Sequence, residues 1–202
     1  MNIIANDYVY VGMVKTGSTY IRRTLRLIDK LEGNFHERFN PETVHELPTK
    51  VRHLPCFGTI RNPWTWYPAN WKWFSEDRFS GDTRSYLLPG MPPSRYTGNM
   101  SFEEWVRKDP AVLLSEFYYY YTPNVPLIRM ENMVEDLTRV LEDIRGPLSE
   151  QAKNIIKEAP IQNKNPSPPP GWTDELQGLV IKGARPIFEK YYPEELDKWG
   201  IT

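Results

Sequence analysis

The segment VYVGMVKTGSTYIRRTL, Val9 to Leu25, decides the fold. The stretch YVYVGM, Tyr8 to Met13, is rich in β-formers and short enough for a buried strand. The spacing of Ile21, Leu25, Ile28 and Leu31 predicts a helix over 19–31, which Gly33 and Asn34 would end. Between the two lies Lys15-Thr16-Gly17-Ser18-Thr19. This has the outline of a phosphate-binding loop, but not the Walker form, because the lysine precedes a single glycine instead of following the last one. A loop that opens a helix offers unpaired N–H groups and the positive end of the helix dipole to an anion. Gly17 lets the backbone come close, Ser18 and Thr19 add hydroxyl donors, and Lys15 adds a mobile charge. The alternative is a tight turn between strand and helix with an incidental lysine.

Outward from this unit, CFGTI (Cys56 to Ile60) is a second core strand running into Arg61-Asn62-Pro63. An aromatic helix is expected over 64–74, interrupted or kinked by Pro68. The span 76–98 is rich in Gly, Pro, Ser and Asp and reads as a long loop. Ser101-Phe-Glu-Glu104 is a capping box, and a further helix is expected over 111–121. A third strand falls at 125–130, with helices at 134–144 and 149–158 after it. The loop APIQNKNPSPPPGW leads to a last helix from Thr173. Strands separated by helices imply parallel crossovers. The expected class is therefore α/β, a single three-layer α/β/α domain over 1–202 with a central parallel sheet.

Composition limits the function. The chain has 202 residues and a net charge of −1, so no bulk electrostatic attraction to nucleic acid or membrane is expected, and an anion must be caught by a local site. One cysteine, Cys56, excludes an internal disulfide framework. Three histidines without paired spacing argue against a zinc site, so no metal is expected. No signal peptide or membrane span is visible, and the expected location is cytoplasmic.

Taken in order, the two motifs resemble those of sulfotransferases that use 3′-phosphoadenosine-5′-phosphosulfate (PAPS). That family's 5′-phosphosulfate loop reads Lys-x-Gly-[Ser/Thr]-Thr after the first strand, which Lys15, Thr16, Gly17, Ser18 and Thr19 match. Its 3′-phosphate element follows a later strand as Arg-Asn-Pro, which Arg61, Asn62 and Pro63 match. VPLIRMENMVEDL and IQNKNPSPPPGWTDEL are similar, less specifically, to the family's late strand and nucleotide-closing loop. The resemblance implies transfer of a sulfuryl group from PAPS, leaving the bisphosphate PAP, to a small-molecule or carbohydrate acceptor. It is nearer to the bacterial and carbohydrate-type members. Lys15 would stabilise charge on the departing oxygen, and Arg61 would hold the 3′-phosphate. Tyr20 aligns with an adenine-stacking aromatic but reads equally as a core tyrosine. Lys164 either closes over the 3′-phosphate or is a solvated loop lysine. The serine usual eight residues after the arginine is Ala69 here; either Asn70 or Thr65 compensates through a register change, or 3′-phosphate binding is weaker.

A base must accept the acceptor's proton, and histidine suits neutral pH. His36, after the first helix, matches the position of a base in bacterial and polysaccharide-modifying members. His53, in RHLP, resembles a segment of the cytosolic aryl members but sits close before Arg61. His45 falls in a short helix and is expected to be exposed. The aromatic middle, Trp64 to Tyr121, supplies either acceptor platforms or core. Two rival readings stay open: a P-loop kinase of a nucleotide or small metabolite, and a non-catalytic nucleotide- or glycan-binding relative.

Overall fold

The computed structural model describes residues 2–34, 43–75, 100–159 and 170–200, together with the backbone of 36–39. In chain order the elements begin β1 (Asn2–Ala5), β2 (Val9–Val11), α1 (Ser18–Leu31), β3 (His36–Phe39) and β4 (Cys56–Ile60). They continue with α2 (Pro63–Ser75), α3 (Phe102–Lys108), α4 (Val112–Tyr120), β5 (Leu127–Arg129), α5 (Met133–Arg145) and α6 (Glu150–Glu158). The last are α7 (Asp174–Gly183), α8 (Arg185–Tyr191) and α9 (Pro193–Asp197). Short 3₁₀ turns at Val44–Glu46 and Thr49–Val51 precede β4. The chain forms two compact units, Met1–Arg61 with Tyr120–Lys164, and Asn62–Tyr119 with Asn165–Thr202. The α/β class holds, and no helix among the described residues is long and apolar enough to cross a membrane.

The first unit is built on a five-stranded sheet of order β3-β1-β2-β4-β5. Strands β2, β4 and β5 are parallel, as expected. The expectation of a wholly parallel sheet is corrected by β1, which pairs antiparallel with both β2 and β3. The reason is local. Asn6 and Asp7 turn the chain straight back after Ala5, and a hairpin can only be antiparallel. Cross-strand partners Ile3, Tyr10 and Phe57 share one face, and α1, α5 and α6 bury it. Ile21, Leu25 and Ile28 of α1, Leu137 and Leu141 of α5 and Ile156 of α6 meet them there. Each such side chain contributes roughly 1.5–3 kcal/mol on full burial.

One polar cluster ties this layer down. Arg145, the last residue of α5, donates to Asp7 Oδ2 at 2.6 Å, Asp29 Oδ1 at 2.7 Å and Glu32 Oε2 at 3.0 Å. Its guanidinium also lies 5.0 Å from the Tyr8 ring centroid, and Tyr8 donates its hydroxyl proton to Asp29 at 2.7 Å. Burial alone would raise the pKa of Asp7, but the hydrogen bonds from Arg145 and Asn34 outweigh it and hold the carboxyl below its usual value. A depressed folded pKa gives stability above the unfolded value, about 3.9, that is lost as pH falls through the folded one. Unfolding free energy is therefore expected to drop on acidification below about pH 4. In Asp7→Asn that drop becomes shallower in chemical denaturation at stepped pH; an identical slope would contradict the assignment.

The second unit has an aromatic core in which Trp66, Tyr67, Trp105 and Phe188 are buried. Pro68 lies inside α2 without breaking it. Proline cannot donate to the carbonyl four residues back, which is that of Trp64. Trp172 Nε1 donates to this oxygen instead, at 3.0 Å, so the backbone acceptor is satisfied. The Ser101–Glu104 capping box forms as expected, and the Ser149 and Thr173 side chains cap α6 and α7.

Candidate functional site

The parallel register pairs Val9 with Cys56, Tyr10 with Phe57 and Val11 with Gly58, so β2 and β4 end at the same edge of the sheet. In open α/β sheets, ligands bind beyond this carboxyl edge. The Lys15–Thr19 loop leaves one strand there, and Arg61 leaves the other. Arg61 Nη1 donates to the Lys15 carbonyl at 3.4 Å, a long and weak hydrogen bond. Folding thus joins two motifs that lie 46 residues apart.

Lys15 adopts φ 62°, the only positive φ outside glycine among the described residues. A left-handed lysine costs on the order of 1–3 kcal/mol, and such strain gathers at functional sites. Gly17, at φ 77° and ψ 13°, directly precedes α1. A side chain there would be strained by φ, and its Cβ would also lie 2.8 Å from Met133 Cε. Left-handed residues within a turn gather successive N–H groups into an anion-binding concavity. The start of α1 is not neutralised from within, since it has no side-chain cap and no acidic residue in its first turn. Arg22 follows, donating to Thr19 Oγ1 at 3.3 Å. This reverses the charge order that the helix dipole favours in an isolated helix.

Within the loop, the residues play different parts. Lys15 and Ser18 are half-buried and Thr19 is exposed. Thr16 is fully buried; its hydroxyl donates to the Met13 carbonyl at 2.7 Å and meets Thr59 Oγ1 at 2.6 Å. That proton being spent, Thr59 donates to Thr16, and Tyr10 in turn lies 3.3 Å from Thr59. The Thr16 side chain therefore clamps the loop to β4, leaving only its backbone to meet a ligand. The Tyr20 ring belongs to the core, 6% exposed, with its hydroxyl donating to the Ile156 carbonyl at 2.6 Å. Its core reading stands over adenine stacking.

The expected bases are displaced. His36 opens β3 and pairs with Ala5, beside the hairpin and hence at the end of the sheet opposite the loop. Helix α1 starts at the loop edge and runs down the sheet, so the chain re-enters at the far end. His53 is exposed and precedes β4 at that same far end, a strand length of about 17 Å from Arg61. Neither histidine sits beside Lys15. His45 is exposed, in the 3₁₀ turn Val44–Glu46 of the connection that leaves β3 at the loop edge. Lys164 lies outside the described residues.

The Arg61-Asn62-Pro63 element continues into the second unit. Asn62 Oδ1 accepts from the Trp64 N–H at 2.9 Å and caps α2. Its amide donates to Glu195 Oε1 at 3.1 Å, while Trp64 Nε1 donates to Glu195 Oε2 at 3.0 Å. Burial would raise the pKa of Glu195, but hydrogen bonds from Lys198, Trp64 and Asn62 more than offset this and keep it low. A glutamate 133 residues away along the chain leaves no sequence signal for this role. Ala69 is half-buried on α2; the Asn70 amide beside it is fully buried without a hydrogen-bond partner among the described residues. Thr65 is exposed and spends its hydroxyl proton on the Asn62 carbonyl at 3.0 Å. Of the aromatic platforms expected for an acceptor, Trp66, Trp105, Phe117, Tyr120 and Tyr121 are core residues. Burial pushes the Cys56 thiol up to about 12, so it stays protonated and unreactive at neutral pH.

No protein-family model matches this chain, and comparison with curated proteins and with solved structures finds no match.

Proposed function

We propose that this chain is a sulfotransferase that moves a sulfuryl group from PAPS to a hydroxyl or amine of a small-molecule or carbohydrate acceptor. The reading includes a P-loop-like phosphosulfate loop and a three-layer α/β/α frame around the sheet. The observation that carries it is the meeting of Lys15-Thr16-Gly17-Ser18-Thr19 with Arg61 at the carboxyl ends of adjacent parallel strands. The left-handed Lys15 and Gly17, and an α1 start lacking any acidic residue, suit a dianionic group. Phosphate oxygens match a guanidinium fork better than the single carbonyl that Arg61 meets in the loop at 3.4 Å.

In the proposed reaction an acceptor oxygen or nitrogen attacks sulfur. The new bond forms to sulfur as the bond from sulfur to the bridging 5′-phosphate oxygen breaks, and that oxygen keeps the electron pair. Lys15 and the N–H groups at the start of α1 stabilise the charge developing there. The acceptor's proton passes to a base, and the products are PAP and the sulfated acceptor. His36 and His53 are not assigned that proton, because the topology puts both at the far end of the sheet.

Thermal denaturation with nucleotides tests the reading. Adenosine 3′,5′-bisphosphate at 100 times its Kd adds about 2.7 kcal/mol, which raises Tm by roughly 5–10 °C. ATP with Mg²⁺ is expected to leave Tm unchanged. Stabilisation by ATP–Mg²⁺ alone would favour the P-loop kinase. Stabilisation by the bisphosphate without transfer to any acceptor or to water would favour the non-catalytic binder.

A further inference from the structure

Strands β2 and β4 are paired only as far as Val11 and Gly58. Beyond that point Met13, and Thr59 on its side toward β2, lack the β2–β4 ladder, and a buried N–H without a partner is costly. A single side chain meets them. Tyr121, just past α4 and 1% exposed, accepts from the Met13 N–H at 3.0 Å and the Thr59 N–H at 3.1 Å. Its one proton faces the Val11 carbonyl at 3.1 Å and the Thr59 carbonyl at 3.0 Å. A phenol has one proton to give and two lone pairs to accept with, so the hydroxyl is fully used. The ring reaches this place because Gly58 has no side chain; a Cβ there would lie 2.3 Å from the Tyr121 ring.

We infer that Tyr121 is the positioning residue of the Lys15–Thr19 loop: its hydroxyl replaces the ladder where β2 and β4 part, and so sets where the chain leaves β2. Met13 is only two residues before Lys15, so a shift at Met13 is carried directly into the left-handed turn. Thr59 serves both clamps, its backbone binding Tyr121 and its hydroxyl binding Thr16. The consequence for ligand affinity rests on the sulfotransferase reading; the consequence for loop order does not.

The test compares Tyr121→Phe with Tyr8→Phe in the full chain. Both lose one buried tyrosine hydroxyl of the first unit, but that of Tyr8 serves Asp29 and not the loop. Amide hydrogen exchange without ligand is followed over residues 13–19, at denaturant concentrations that equalise global stability. Exchange there is expected to quicken about tenfold in Tyr121→Phe relative to Tyr8→Phe. Calorimetric affinity for adenosine 3′,5′-bisphosphate is expected to weaken about tenfold in Tyr121→Phe and to stay at the wild-type value in Tyr8→Phe. Equal exchange in the two variants overturns the positioning role, as does unchanged affinity in Tyr121→Phe. A Tyr121→Phe chain that fails to fold assigns the hydroxyl to the sheet as a whole and overturns the loop-specific role. If the wild type binds no bisphosphate, the sulfotransferase reading falls, and the exchange comparison alone decides for or against Tyr121.

Discussion

On the proposed sulfotransferase reading, Lys15→Ala is expected to slow sulfuryl transfer by roughly 10²–10³-fold, the scale of losing one preorganised donor to a developing oxyanion. Lys15→Gly sharpens the test. Glycine adopts φ 62° without the strain that alanine keeps, so this variant should be on the order of 1 kcal/mol more stable than Lys15→Ala while losing activity to the same extent. A side chain whose loss slows the chemistry even where glycine relieves the backbone is one kept for its charge. Steady-state rates and denaturant midpoints on the same preparations decide the matter. A wild-type rate in either variant would remove Lys15 from the mechanism.

Arg145→Ala is expected to cost about 3–5 kcal/mol of unfolding free energy, the penalty for breaking a buried ion pair on one side. Burial makes the loss large. The Asp29 side chain is fully buried and that of Arg145 only 10% exposed, so the carboxylate left behind cannot find water. Substituting Asn for Asp29 in the Arg145→Ala background should recover part of the loss, since the orphaned charge is then gone. Exposed ion pairs contribute at most about 1 kcal/mol. A loss of that size for Arg145→Ala, read from urea unfolding, would show that the cluster does not hold α5 against the sheet.

Several elements were legible in the sequence because their signals are local. Helix α1 was expected over 19–31 and forms at Ser18–Leu31; β4 forms at Cys56–Ile60 as expected. The caps at Ser101, Ser149 and Thr173 act over three residues and are visible in any sequence. Strand β1 was missed because four residues carry too little periodicity, and with it went the antiparallel edge of the sheet. His36 opens β3 instead of closing a strand, so the α1 crossover brings it in at the far end of the sheet. Tyr121 was hidden in the run Phe117 to Tyr121, where five aromatic residues look alike and only packing separates them.

From its own residue order, the chain determined a strand, a glycine-bearing loop and a helix at Val9–Leu31, and a second strand ending in Arg61-Asn62-Pro63. These depend on neighbours within a few positions, through φ preferences, capping and periodic burial. Only the tertiary structure decided that the two strand ends lie side by side. It alone clamped the Thr16 hydroxyl to β4, and sent both expected histidine bases to the far end of the sheet. Register and pairing arise from contacts between segments tens of residues apart, and no local preference encodes which segments those will be.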